Sequence, residues 1–188
     1  MEAIEALTSR RSAGQLIEPA PDAATLDLIL RAALRVPDHG KLRPWRFIVL
    51  RDGARRRFGD VMAEALKRRE PDAPATLVER EREKPLRAPL ILVLAAVLKE
   101  GHKIPVIEQL LAAGAAAENV MVAAHALGFG AAWKTGAPAY DSYVKEALGL
   151  ASTDAIVGFL YLGTPAATAT QPVLNPLEPA NFIRNWPG

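Results

Sequence analysis

Arg10, Arg11 and Ser12 stand in a row at the end of an N-terminal stretch with helical spacing. Pro37-Asp38-His39-Gly40-Lys41-Leu42-Arg43-Pro44-Trp45 follows downstream, ahead of a short apolar run. Two adjacent guanidiniums and a hydroxyl suit a phosphate dianion. Forked N–H groups give bidentate, charge-assisted hydrogen bonds, and the hydroxyl serves a remaining oxygen. A phosphorylated cofactor is therefore the first chemistry these residues suggest. Taken alone, Arg10 and Arg11 have a second reading, as solvated cations favoured by the macrodipole at a helix C-terminus.

Other chemistries fit less well. The chain has no cysteine, which removes disulfides, thiolate metal sites and cysteine nucleophiles, so redox chemistry would need a borrowed cofactor. His39, His102 and His125 are far apart and lack metal-ligand spacing, which argues against a metal site. Neither Gly-x-Gly-x-x-Gly nor a P-loop occurs, so a nicotinamide would bind transiently and not in a domain of its own. Ser12, Ser142 and Ser152 have no nucleophile-elbow context.

A net charge of +2 and a pI of about 9.0 create no strong field. The basic clusters at 55–57 and 67–69 lack interleaved aromatics, so no nucleic-acid partner is expected. The longest uninterrupted apolar run, Ala88 to Leu98, falls short of the roughly 20 residues a spanning helix needs, so no membrane partner is expected. Met1-Glu2-Ala3-Ile4-Glu5 lacks a basic-then-apolar leader, and the expected location is cytoplasmic.

The elements that must position these residues follow from periodicity. The spacing predicts helices over 2–10 and 22–35, and a buried strand over 46–50. It also predicts charged, exposed helices over 53–69 and 74–84 that flank a mobile turn at Pro71-Asp72-Ala73-Pro74. Leu90 to Leu98 reads as a strand buried on both faces. Pro105 suits the first turn of a long Ala-rich helix running to about Leu127, whose small side chains make it the central core helix. A strand at 131–134, a helix at about 140–148 and a strand at about 155–163 complete the order.

The 188 residues suit one domain, 1–188, with a Pro-rich extension at about 164–188. That tail carries Pro165, Pro172, Pro176, Pro179 and Pro187 with Leu174, Phe182 and Trp186, a pattern that rules out a helix. Its apolar groups must be buried, either on a partner subunit or on the tail's own domain.

Taken together, Arg10-Arg11-Ser12, Pro37-Asp38-His39, Arg43-Pro44-Trp45, Arg87-Ala88-Pro89-Leu90-Ile91, His102-Lys103, Glu108-Gln109, Gly128-Phe129-Gly130 with Trp133, and Ile156 to Pro165 resemble the FMN-dependent nitroreductases. The resemblance is to the small, single-domain bacterial NAD(P)H group. It implies an α+β fold with a central, mainly antiparallel sheet flanked by helices in an intertwined homodimer, with FMN at the subunit interface.

It also implies a phosphate site at Arg10, Arg11 and Ser12, contacts from Arg35 and His39 of the opposite subunit, and Ala131, Ala132 and Trp133 beside the flavin's redox edge. Met121, Val122, Ala123, Ala124, His125 and Ala126 are implied for NAD(P)H, although their spacing fits a core helix as well. Trp133 likewise fits a core role. No side chain is implied as the catalytic acid or base, since hydride passes to flavin N5.

The implied activity is ping-pong reduction of a small-molecule oxidant, nitroaromatic or quinone-like, by NAD(P)H. A flavin binder without turnover, or a same-fold flavoenzyme of other chemistry such as dehalogenation or dehydrogenation, stays open. Gly14 departs from the family's cation near the pyrimidine edge. Arg35 and Lys41 are the substitutes the sequence offers, and residues 60–85 are the candidate lid.

Overall fold

The computed structural model describes residues 1–167 and 177–186, so Pro172, Leu174, Pro176 and Pro187 of the tail lie outside the described residues. In chain order the elements are α1 (Ala3–Ser9), β1 (Leu16–Ile17), α2 (Ala23–Ala33), β2 (Trp45–Arg51), α3 (Asp52–Arg69), α4 (Ala75–Glu83), β3 (Leu90–Ala96), α5 (Val106–Ala126), β4 (Gly130–Lys134), α6 (Ser142–Ala147) and β5 (Ala155–Pro165). The strand β5 organises the sheet. It pairs antiparallel with β3 and β4 and, at its last two residues, with β1, while β2 pairs antiparallel with β3.

All seven residues of β3 are buried, because helices cover the sheet on both faces. Leu90, Leu92 and Leu94 pack with Ile29 of α2 and Ala116 and Val120 of α5. Ile91 and Val93 point the other way, onto Phe58 and Met62 of α3 and Val144 of α6. Alternation along a strand splits one apolar run between two cores.

The alanines of α5 do what their size allows. Ala112, Ala113, Ala116, Ala117 and Ala124 are buried with Val120 and Met121. By length and composition α5 is apolar enough to cross a membrane, but here that stripe packs on the sheet. Gln109, 2% exposed, fixes the loop before the helix. Its oxygen accepts from Lys99 N at 2.9 Å, and its amide donates to Lys99 O at 3.1 Å and Ile104 O at 3.0 Å.

Helices α3 and α4 differ from the exposed pair that their charge predicts. Phe58, Met62, Ala65 and Leu66 recur at helical spacing and are buried with Gly59 and Ala63, and α4 buries Val78 and Glu81. The charges occupy only the outer face, which is what an amphipathic helix permits. Gly59 allows the two helices to touch, since a Cβ there would lie 2.2 Å from Arg82 O.

The strand β5 continues to Pro165, paired with Leu16, so the extension begins just beyond 165. Within the tail, Leu177, Phe182, Ile183 and Trp186 are 67% to 89% exposed. Residues Pro179–Phe182 form one short 3-10 turn.

Candidate functional site

The chain leaves α1 at Ser9 and becomes extended at Arg10, with φ −57° and ψ 134°. It then runs beside β4. Ser12 and Ala131 form a parallel bridge, and Ala13 N–H donates to Ala131 O at 2.9 Å. The crossing depends on glycine at 130, because a Cβ there would meet Leu16 Cδ2 at 2.7 Å and Pro165 Cγ at 2.9 Å. The Arg10-Arg11-Ser12 triplet is thus stitched to the sheet and not left on a free loop.

Arg10, Arg11, Ser12, Met121, His125 and Ala131 line a cavity of about 240 Å³. The helix α5 orients its charged side. Arg10 Nε lies 3.2 Å from Glu118 Oε1, and Ser9 Oγ lies 2.8 Å from His125 Nε2. Of the run at 121–126, Met121 and His125 reach this cavity. Ala124 is in the core, Val122 and Ala123 are half-buried, and Ala126 is exposed.

A larger cavity, about 430 Å³, adjoins the first across Ala13 and Gly14, which line both. Successive strand residues face opposite sides, so Ala131 serves the first cavity and Ala132 the second. The second is walled by Met62, Glu81, Lys84, Arg87, Lys134 and Tyr161. Glu81 is 8% exposed. One of its oxygens contacts Lys84 Nζ, and Oε2 has no hydrogen-bond partner among the described residues. Burial pushes the Tyr161 phenol up to about 12, opposed by the Arg87 charge and reinforced by that of Glu81.

These side chains escape sequence reasoning because Glu81 to Arg87 sits in a stretch dense with charge, where one buried carboxylate carries no signature of its own. The residues that the candidate lid would contain are here part of the wall, through Met62, Glu81 and Lys84.

Trp133 is held by the core. Its Nε1–H donates to Val157 O at 3.1 Å, and a Cβ at Gly158 would lie 2.1 Å from that nitrogen. Val157 is the extra residue where the β3–β5 register shifts, so the bulge supplies the acceptor. Arg35 is exposed. His39 Nδ1 lies 2.5 Å from Glu108 Oε2, in a shallow surface groove with Leu111 and Ala112. Arg35, His39 and Lys41 line neither of the two cavities.

The chain matches the family model described as "Nitroreductase family" over residues 7–164. It is 42% identical to "Putative NAD(P)H nitroreductase YdjA" of Escherichia coli (strain K12), over 97% of this chain and 98% of the relative. Among solved structures it superposes on a nitroreductase-like family protein from Bacillus cereus with a TM-score of 0.84 at 21% identity, covering 100% of this chain and 97% of that one. It also superposes on a mutant of the FMN and NADPH-dependent nitroreductase NfnB, from "sphigopyxis sp. strain HMH", with a TM-score of 0.76 at 21% identity and complete coverage of both chains. The antiparallel sheet with helices on both faces is the fold these structures share. On residues 7–164 and the near-full-length identity to a relative, the chain belongs to the nitroreductase family, whose members are oxidoreductases.

Proposed function

We propose that this chain is an FMN-dependent NAD(P)H oxidoreductase that reduces nitroaromatic or quinone-like acceptors in two alternating half-reactions at one opening. The observation that carries this reading is the placement of Arg10, Arg11 and Ser12 on a cavity that shares a wall with a second, larger one. The name of the relative, "Putative NAD(P)H nitroreductase YdjA", and that of the structural neighbour NfnB, FMN and NADPH-dependent, support it.

The residues suit the group. The guanidiniums and hydroxyl of the first cavity match a phosphate. The second cavity has an apolar lining of Leu16, Met62 and Phe159, and a buried carboxylate oxygen in need of a donor. When bound, the flavin supplies the acceptance of hydride from NAD(P)H and its delivery to the acceptor. Glu118 holds Arg10 in place beside the phosphate position. The backbone at Ala131 and Ala132 lies close because their side chains are small. Met121 and His125 are the members of the 121–126 run placed to meet the nicotinamide donor.

The working unit in this reading is a homodimer. Ile4 and Leu7 of α1, Ile107 and Leu111 of α5, and Phe182 and Trp186 of the tail are all more than half exposed. A second copy would cover such surface. Arg35 and His39, which line neither of the two site cavities of their own protomer, would then serve the partner's flavin.

The test is the double variant Arg10→Ala with Arg11→Ala, purified beside the parent chain. The parent should carry yellow flavin absorbance that bleaches under anaerobic NADH or NADPH, and the variant should be colourless. A variant that keeps full absorbance refutes the phosphate assignment. A parent that holds FMN without bleaching by either donor is a binder and not an enzyme.

A further inference from the structure

We infer that Glu81 contacts the flavin ring, its free carboxylate oxygen accepting the imide N3–H while Lys84 holds the other oxygen. This rests on the reading that the second cavity takes the isoalloxazine. Three observations converge on it. Glu81 lines that cavity, it is 8% exposed, and its Oε2 has no hydrogen-bond partner among the described residues. A buried carboxylate oxygen left without a donor is costly, so a ligand that supplies one gains twice.

Oxidised isoalloxazine offers a single ring N–H, at N3, beside carbonyl oxygens O2 and O4. That pattern is complementary to one acceptor flanked by cations. Lys84 contacts Glu81, and Arg87 and Lys134 line the same cavity. The last torsion of a glutamate side chain is broad and roughly two-fold, so the carboxylate turns toward the ring at little cost while Lys84 stays in reach.

The electrostatic consequence has a fixed sign. Reduction places negative charge on the ring, and a carboxylate beside it opposes that charge while the Lys84 ammonium offsets the opposition. Glu81 and Lys84 are then opposing regulators of how readily the cofactor is reduced, and they answer the loss of a cation at Gly14. Removing the acid favours reduced flavin, and removing the base disfavours it.

The experiment uses the FMN-loaded protein and three variants, Glu81→Gln, Glu81→Ala and Lys84→Met, each checked for an unchanged circular dichroism spectrum. Binding of FMN and of N3-methyl FMN is followed by quenching of flavin fluorescence, and midpoint potentials by dye-equilibrated photoreduction. The parent should bind N3-methyl FMN at least tenfold more weakly than FMN, and Glu81→Ala should bind the two alike. Glu81→Gln should favour reduced over oxidised flavin by about tenfold, about 30 mV upward for a two-electron couple, and Lys84→Met should shift in the opposite direction.

Equal binding of the two flavins by the parent overturns the inference, as does discrimination that survives in Glu81→Ala or potential shifts of the same sign in both charge variants. Failure of the underlying reading looks different, because a parent that binds neither flavin has no flavin site at all.

Discussion

Trp133 Nε1 and the Val157 carbonyl oxygen are joined at 3.1 Å. The joint exists because one extra residue in β5 turns that carbonyl out of the β3 ladder. The indole ring then lies on Gly158, where no side chain intervenes. This arrangement locks the outer part of β4 to β5 immediately after the strand's cavity-lining alanines, Ala131 and Ala132.

Replacing Trp133 by Phe removes the donor and leaves a turned-out carbonyl, a loss of about 1 kcal/mol. Replacing Gly158 by Ala puts a methyl into the indole and costs about 1 to 3 kcal/mol through overpacking. Urea unfolding followed by circular dichroism should rank the parent above Trp133→Phe, and that above Gly158→Ala. A Gly158→Ala protein as stable as the parent would mean the indole moves aside freely.

Gly130→Ala tests the seam between the N-terminal segment and β4. The added Cβ meets Leu16, Pro165 and Ala13 at 2.7 to 3.1 Å, so the triplet at 10–12 must shift outward. We expect a loss of about 1 to 3 kcal/mol together with weaker flavin retention. Retention equal to that of the parent would separate the seam from the binding site.

Gln109→Ala should release the 99–104 loop, since three hydrogen bonds disappear, two of them part-buried and the one to Ile104 O buried. The expected cost is about 2 to 3 kcal/mol. Hydrogen exchange should show the Lys99 amide losing protection first, and unchanged exchange there would refute the assignment.

Tyr161 carries a pH dependence with a definite sign. Its phenol is raised from 10.0 to about 12 in the folded chain. The neutral form is therefore the one folding favours, and its contribution is fully present below pH 10. It declines as pH rises from about 10 to 12, by about 3 kcal/mol in all. Tyr161→Phe should flatten the loss of stability across that interval, as measured by denaturant midpoints, and an equally steep loss in the variant would exclude Tyr161 as its source.

The elements with strong periodicity were legible in the sequence, because β3, β5 and α5 are apolar runs whose spacing leaves little choice. The failure at α3 had a physical origin. Charges outnumber apolar residues there, and only the regular spacing of Phe58, Met62 and Leu66 betrays a buried side. The strand β1 is two residues long and owes its existence to Pro165 and Thr164 across from it, so local sequence says nothing of it.

The same division runs through the candidate site. Arg10, Arg11 and Ser12 announce themselves by type and adjacency, whereas Glu81 becomes notable only once tertiary packing removes it from water. Trp133 illustrates the converse. Its sequence position allows a cofactor contact or a core role, and what decides its neighbours is a bulge in another strand.

The seven wholly enclosed residues of β3 have a further consequence. Flanked by strands on either side and roofed by helices above and below, their amide protons can meet solvent only when the entire molecule opens. Their deuterium uptake therefore serves as an internal gauge of global free energy, against which the gain from any added ligand can be read without a chromophore or an assay.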